Sequence, residues 1–311
     1  MSGIDFSKLP NLFIIGAAKA GTTSLHDVLS QHPEIFMSKD KEPNFFNTED
    51  RFALGLKWYQ KTHFKNSERY PRRGESTTGS LFWSTVTAPR IKEIFGGQDI
   101  KFIASFRDPV KRAYSYYWMK VHHHLESLSF EDALAGEEER MRSNWEQLRR
   151  SGKGNLGYYR GGCYATLLQP FLDYFPRSNF AFILLEDFQK NFSGTMAGLA
   201  GFLEVHSDYN FRPVQSNSAS APRIPGLMQF LQHPSGPLHR LVKLFSHRLP
   251  LKQRHQIKSS INRVNLRPQE YLPMKVETER SLRLRYLDEV ERLELIIERD
   301  LSAWKPAGVG K

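Results

Sequence analysis

The sequence predicts an α/β protein, a single domain in which a central parallel sheet is flanked by helices. Three apolar runs have the length and composition of buried parallel strands, at residues 12–15, 100–106 and 180–185. Helical patterns follow the first two runs, and this alternation is typical of a parallel sheet. The 311 residues contain no internal repeat and no recognisable linker. We therefore expect one domain over residues 1–311, with flexible tails at 1–9 and 305–311.

The composition narrows the class of protein. The chain has 44 lysines and arginines against 33 aspartates and glutamates, a net charge of +11 that predicts anionic partners. It has no zinc-finger spacing and no RNA-recognition motif, and we expect no nucleic-acid partner. No apolar run reaches the roughly 20 residues of a transmembrane helix. Because Cys163 is the only cysteine and the first residues lack a signal-peptide pattern, we expect a cytoplasmic protein.

The first strand leads into a loop of small residues, 16–21, that is typical of a phosphate-binding site. Small side chains allow a phosphate to approach the backbone N–H groups of the helix that follows, whose N-terminus is positive. Lys19 adds a mobile charge, and hydroxyl donors follow at Thr22, Thr23 and Ser24. A nucleoside triphosphatase loop has its lysine directly after the second glycine, whereas Lys19 precedes Gly21 by two residues. We therefore expect a P-loop-like site that needs no magnesium or other metal.

A second anion-binding element is predicted where the strand at 100–106 ends. Arg107 lies at the carboxyl end of this strand, where open α/β sheets bind ligands. Asp108 is a suitable N-cap and Pro109 suits the first turn of the next helix. Ser115 lies two turns along that helix, so it can face the same anion as Arg107.

Further elements are predicted between and after these segments. The segment 34–46 has a short strand and then a loop with Lys41 and Glu42. Helical patterns lie at 85–95, at the charged stretch 129–151, around 168–175, and in a closing helix from Tyr286 to Leu301. The basic amphipathic stretch 238–254 predicts a helix packed on the domain, or a surface for a membrane or an acidic acceptor.

Three groups of residues, taken in order, resemble sulfotransferases that use 3′-phosphoadenosine 5′-phosphosulfate (PAPS). They are K-A-G-T-T at 19–23, K-E-P-N-F-F at 41–46 with G-L-K-W-Y at 55–59, and R-D-P-V-K-R-A-Y-S-Y-Y at 107–117. The branch is that of heparan-sulfate glucosaminyl sulfotransferases and related bacterial enzymes, and Arg299–Trp304 is similar to the bacterial members. The resemblance covers most of 10–190 and the final helix. It implies the sulfotransferase fold and transfer of a sulfuryl group to a hydroxyl or amine, with adenosine 3′,5′-bisphosphate (PAP) as product.

The resemblance also implies residue roles. Lys19 would contact the oxygen that bridges phosphate and sulfate, and Glu42 would be the general base of an in-line transfer. The 5′-phosphate would be held by the backbone and hydroxyl groups of Ala20, Gly21, Thr22, Thr23 and Ser24. The 3′-phosphate would be held by Arg107 and Ser115, with a further cofactor contact from Arg223. The alternative bases are His122, with its neighbours His123 and His124, and His63.

The sequence departs from the heparan-type pattern at one position, and two alternative functions stay open. Heparan-type enzymes have a lysine near the position of Ser76, and its absence favours a small-molecule, lipid-linked or saccharide acceptor over a polysaccharide. An ATP-dependent small-molecule kinase would need magnesium, which the loop spacing does not favour. A non-enzymatic basic protein would bind polyanions without preference for a 3′-phosphate. The oligomeric state stays open.

Overall fold

The computed structural model describes residues 5–152, 156–214, 220–222, 266–268 and 272–308. The chain divides into two compact units, Met1–Ser216 with Met274–Lys311, and Asn217–Pro273. In the second unit the described residues include two short antiparallel strands, β6 (Ser220–Pro222) and β7 (Leu266–Pro268). Arg223 and the basic stretch 238–254 lie outside the described residues.

The first unit contains a five-stranded parallel sheet. Its strands are β1 (Leu12–Gly16), β2 (Ile35–Met37), β3 (Arg72–Ser76), β4 (Lys101–Phe106) and β5 (Phe180–Leu184). Their order is β2-β3-β1-β4-β5, and every neighbouring pair is parallel. Leu12 lies opposite both Gly74 and Lys101, so β1 is the central strand. The predicted α/β class is confirmed, and the carboxyl ends of β3, β1 and β4 meet at one edge.

Helices connect and cover these strands. Those in the first half are α1 (Thr22–Leu29), α2 (Glu49–Phe52), α3 (Gly55–His63), α4 (Gly79–Phe82), α5 (Ser84–Phe95) and α6 (Pro109–His122). Those that follow are α7 (Phe130–Ala135), α8 (Glu137–Ser143), α9 (Trp145–Ser151), α10 (Tyr164–Tyr174), α11 (Leu185–Lys190), α12 (Phe192–Leu203), α13 (Val276–Arg285) and α14 (Leu287–Ile297).

Both faces of the sheet are buried. On one face, Phe13 and Phe102 belong to a cluster with residues of α5, α10 and α14. On the other face, Leu12, Ile14 and Ile103 pack with residues of α1 and α12. Each fully buried side chain of this size contributes about 1.5–3 kcal/mol to folding. Because helices cover both faces, the polar groups of a site must lie at the carboxyl edge of the sheet.

Within the five-stranded sheet, β3 is the strand that the sequence does not predict. It reads Arg72-Arg-Gly-Glu-Ser76 and lacks the apolar run of a buried strand. Arg72 is buried nevertheless, because its guanidinium donates to the Leu203 carbonyl (2.6 Å) and pairs with Asp99 (2.6 Å) and Glu204 (3.1 Å). These partners are distant in sequence, so hydrophobic periodicity cannot reveal them.

One predicted helix is divided in the structure, and another is shorter than predicted. The stretch 129–151 forms α7, α8 and α9, and it breaks at Gly136 and Asn144, whose ψ angles are 1° and 11°. The closing helix, predicted from Tyr286 to Leu301, is α14 and ends at Ile297; Tyr286, with a ψ angle of −4°, separates it from α13. A ψ near zero belongs to the bridge region and interrupts regular helical geometry.

Part of the predicted N-terminal tail is packed on the sheet unit. Phe6–Lys8 form a 3-10 turn, and Leu9 is fully buried in the cluster around Phe13. The Leu9 carbonyl accepts a hydrogen bond from Arg73 Nε (2.8 Å). Within the described ranges, no helix has both the length and the apolar character needed to span a membrane.

Candidate functional site

The loop after β1 is fastened to the neighbouring strand β4. The Ala17 N–H donates to the Ser105 carbonyl (2.7 Å), and the Ser105 hydroxyl donates to the Ala20 carbonyl (2.6 Å). Between these contacts the Ala20 N–H donates to the Ala17 carbonyl (3.2 Å) and closes a turn. Lys19 has a φ of 71°, in the left-handed region. The loop is thereby held in a compact conformation beside the end of β4.

Helix α1 begins at this loop with its N-terminus uncapped by a side chain. Gly21 is the N-cap residue and has a φ of 81°. The positive φ favours glycine here, and a Cβ at this position would lie 2.6 Å from Leu185 Cδ1, whose side chain would have to shift. The first N–H groups of a helix have no intrahelical acceptor, and the helix end carries about half a positive charge. With the hydroxyls of Thr22 and Thr23, this end of α1 is suited to a phosphate.

Lys19 and Arg107 lie against each other, although 88 residues separate them in the chain. Arg107 Nη1 donates to the Lys19 carbonyl (3.4 Å). Burial lowers the pKa of Lys19, and the positive charges of Arg107, Lys41 and Arg112 lower it further. Such a concentration of positive charge is unfavourable by itself and is stabilised by an anion.

Asp108 caps α6, as the sequence predicts. Its carboxylate accepts from the N–H groups of Val110 (2.9 Å) and Lys111 (3.2 Å). Its second oxygen pairs with the guanidinium of Arg283 on α13 (3.0 Å), and both side chains are largely buried. The junction between β4 and α6 is therefore anchored to the C-terminal helices.

The positions of Arg107 and Ser115 are fixed by α6 and α10. The Tyr164 hydroxyl of α10 donates to the Arg107 carbonyl (2.9 Å). Ser115 is buried on α6, which is continuous from Pro109 to His122. Arg107 itself is partly exposed and reaches the loop after β1. The two predicted anion-binding elements thus adjoin at the ends of neighbouring strands.

Glu42 is held by the end of β3. Its N–H donates to the Ser76 carbonyl (2.9 Å), while its carboxylate accepts from the Thr78 N–H (2.9 Å) and the Thr78 hydroxyl (3.1 Å). Lys41 Nζ also donates to this carboxylate (3.0 Å), which is one-third exposed. The backbone of Glu42 has a φ of 59°. The carboxylate is therefore positioned by several contacts and still reachable by an acceptor.

Glu75 is a second carboxyl group near Glu42, and sequence reasoning missed it. It is almost completely buried on β3, and its Oε2 accepts from the Tyr59 hydroxyl (2.6 Å). Burial raises its pKa to about 7, the Tyr59 hydrogen bond opposes this rise, and the charge of Glu42 adds to it. An acidic residue on an unpredicted strand gives no local signal.

The candidate histidines occupy different environments. The ring of His122 packs against Trp118, with centroids 5.7 Å apart. Partial burial lowers the pKa of His123. Nearby positive charges lower this pKa further; Lys120 has the largest effect among them, and Lys19 also contributes. His63 is buried in the core, beside the aromatic rings of α3. The charge of Lys19 is therefore among those that act on His123.

A comparison with known families decides which family this chain belongs to. Residues 9–221, more than half of the chain, match the sulfotransferase domain. The chain belongs to the sulfotransferase family. The matched range contains Lys19, Glu42 and Arg107, and the resemblance predicted from the three motifs is confirmed.

Curated relatives of this sulfotransferase include eukaryotic enzymes. The mouse heparan sulfate glucosamine 3-O-sulfotransferase 3B1 is 29% identical over 212 residues, which is 65% of this chain and 48% of the relative. The membrane-associated sulfotransferase kil1 of Dictyostelium discoideum is 31% identical over 197 residues, 56% of this chain and 41% of the relative. The chain spans about half the length of these relatives or less.

A solved bacterial structure is similar over nearly the whole chain. The sulfotransferase from Alicyclobacillus acidocaldarius is 27% identical and has a TM-score of 0.67, covering 95% of this chain and 98% of that one. The predicted sulfotransferase fold is thereby confirmed.

Proposed function

We propose that this sulfotransferase moves a sulfuryl group from PAPS to a hydroxyl or amine of an acceptor and releases PAP. The observation that carries this proposal is the contact between Lys19 and Arg107 at the carboxyl ends of β1 and β4. Two anion-binding elements meet there, which suits a nucleotide with phosphate groups at both its 5′ and 3′ positions.

The donor set fits the phosphates of such a nucleotide. The 5′-phosphate would be held at the start of α1 by backbone N–H groups and hydroxyls of Ala20, Gly21, Thr22, Thr23 and Ser24. Arg107, whose planar guanidinium matches a phosphate, would hold the 3′-phosphate with Ser115. The concentration of positive charge around Lys19 supports this assignment, because bound phosphates would neutralise it.

The chemistry requires one base and one group that stabilises negative charge. When bound, PAPS supplies the sulfuryl group. Glu42 takes the proton of the acceptor O–H or N–H as the bond to sulfur forms. Lys19 stabilises the negative charge that develops on the departing phosphate as its bond to sulfur breaks. Neither role needs a metal.

The acceptor is proposed only as a class. Relatives include heparan sulfate glucosamine 3-O-sulfotransferases, which supports a saccharide. The resemblance implies that heparan-type enzymes have a lysine near the position of Ser76, and its absence here supports a small-molecule, lipid-linked or saccharide acceptor over a polysaccharide. The single cysteine, Cys163, suits a reducing compartment, and we propose the cytoplasm. A screen for transfer of radiolabelled sulfate across saccharides, phenols, amines and lipid-linked sugars would identify the acceptor.

Thermal unfolding with nucleotides tests the proposed donor. PAP at 100 times its dissociation constant should stabilise the protein by about 2.7 kcal/mol through mass action, a shift of several degrees in Tm. AMP lacks the 3′-phosphate and should shift the Tm much less at the same concentration. Equal shifts for PAP, AMP and ATP would contradict the proposal. A magnesium-dependent preference for ATP would instead indicate a kinase.

Replacement of Arg107 by alanine should weaken PAP binding by about 10–100-fold, because a hydrogen bond to a charged group contributes roughly 1.5–3 kcal/mol. AMP binding should change little, since AMP has no 3′-phosphate. Isothermal titration with both nucleotides measures the two effects. Lys111→Ala is the matched control, because it removes an exposed positive charge from the first turn of α6, close to Arg107 in the sequence. Unchanged PAP affinity in Arg107→Ala would reject the placement of the 3′-phosphate.

A further inference from the structure

A buried carboxyl and phenol lie beside the proposed base. Glu75 is 2% exposed, and Tyr59, with no exposed surface, donates its hydroxyl to Glu75 Oε2 (2.6 Å). Among the described residues, no lysine, arginine or histidine forms an ion pair with Glu75. A buried carboxyl without a cation is strongly disfavoured as an anion. Glu75 is therefore a group that can hold a proton near neutral pH.

The groups around Glu75 come from three elements. From α3 come Tyr59 and, one turn later, His63, whose ring centroid lies 5.6 Å from that of Tyr59. From the loop after β2 comes Glu42, whose negative charge acts on Glu75. From β1 comes the apolar Phe13, the register partner of Glu75. Glu42 is therefore the carboxylate whose charge Glu75 experiences.

The strand that carries Glu75 also positions Glu42. Ser76 follows Glu75 directly, and its carbonyl accepts the Glu42 N–H (2.9 Å). Thr78, two residues further, donates its N–H (2.9 Å) and its hydroxyl (3.1 Å) to the Glu42 carboxylate. Tyr59 in turn stacks on Phe45, three residues after Glu42, with centroids 4.3 Å apart. The segment 75–78 and the Glu42 loop thus form one packed and hydrogen-bonded unit.

We propose that Glu75 is a positioning residue for the proposed base Glu42, and that its protonation state sets how strongly Glu42 attracts the acceptor proton. Electrostatic repulsion between two carboxylates is reciprocal. When Glu75 is neutral, Glu42 experiences no second charge; when Glu75 is ionised, Glu42 becomes a stronger base. This inference rests on the proposed sulfuryl transfer with Glu42 as base.

The pKa of Glu75 supports this role and fixes the pH range. Burial, with the charge of Glu42, raises the pKa to about 7. Glu75 is therefore protonated below pH 7 and loses its proton as the pH rises through 7. We expect kcat to rise about 3–10-fold across this range as Glu75 loses its proton.

The pH dependence of kcat and KM between pH 5.5 and 8.5 tests the proposal. Glu75→Gln keeps the size and the neutral state, so we expect a flat kcat across pH 7 near the low-pH plateau of the wild type. Tyr59→Phe removes the hydrogen bond that favours ionised Glu75, so the rise in kcat should move to higher pH. Glu68→Gln removes an exposed carboxylate that lies just before β3 in the sequence, and this variant should keep the wild-type profile. A wild-type step in Glu75→Gln, or an equal loss of kcat at every pH, would overturn the proposal.

A direct titration separates this inference from the proposed function. The infrared difference between wild type and Glu75→Gln should contain a protonated-carboxyl band at pH 6 that loses about half its intensity near pH 7 and disappears at higher pH. Absence of this band at pH 6 would overturn the role of Glu75 whatever the activity. If the band titrates as expected but the wild type transfers no sulfate to any acceptor, the proposed function fails, and the role of Glu75 as a partner of a catalytic base fails with it.

Discussion

Replacement of Glu42 by glutamine should lower kcat for sulfuryl transfer by about 10²–10⁴-fold, the contribution typical of a positioned general base. Glutamine has the same shape and can still accept the Thr78 N–H, which donates to the Glu42 carboxylate at 2.9 Å. It cannot take up the acceptor proton. The KM for PAPS should change little, because Glu42 is not assigned to either phosphate. Steady-state kinetics with saturating PAPS measure both quantities.

The control for Glu42→Gln is Asp40→Asn, two residues earlier in the same loop. The Asp40 carboxylate is largely exposed, and its removal should leave kcat near the wild-type value. Equal unfolding temperatures for both variants would exclude loss of structure as the cause. If Glu42→Gln were fully active, Glu42 would lose the base role and His123 would become the next candidate, because it lies within electrostatic range of Lys19.

Replacement of Lys19 by alanine should lower kcat by about 10²–10³-fold, the cost of removing one group that stabilises a developing oxyanion. The loss should appear mainly in kcat, because the charge on the departing phosphate exists only as the bond to sulfur breaks. The folded state should survive, since burial and neighbouring cations already disfavour the charge on Lys19. Single-turnover kinetics with bound PAPS isolate this step from product release.

Lys39→Ala serves as the comparison for Lys19→Ala. Lys39 is an exposed cation just before the Glu42 loop, so its removal tests the effect of net charge alone. We expect its kcat to stay within about twofold of the wild type. A Lys19→Ala variant with normal kcat and a raised KM would show that Lys19 contributes only to binding the donor.

The elements of the fold that the sequence predicts are those with a local sequence pattern. The apolar runs of β1, β4 and β5 indicate buried strands, and Asp108-Pro109 indicates the start of α6. The strand β3 was missed because its polar side chains are satisfied by distant residues; Arg72, for example, pairs with Asp99 and Glu204. Hydrophobic periodicity indicates which apolar residues are buried. It gives no information about polar residues that are buried together with their hydrogen-bond or ion-pair partners.

The residues of the candidate site also differ in whether a local sequence pattern predicts them. Short motifs contain Lys19, Glu42 and Arg107, and the neighbouring residues in each motif indicate its chemistry. The structure brings Lys19 and Arg107 into contact. Glu75 depends on a tertiary contact with Tyr59, 16 residues away, and on the fold of β3. No spacing rule in the sequence indicates such a pair.

The pairing of Asp108 with Arg283 bears on where the catalytic module ends. The range that matches the family stops at residue 221, whereas the cation that neutralises the 3%-exposed Asp108 side chain comes from α13. A fragment trimmed to the matched range would leave that carboxylate buried without its counter-ion, directly beside Arg107. Helix α13 near the C-terminus is thus a structural support for the end of β4 beside Arg107, and we expect any minimal active fragment to need it.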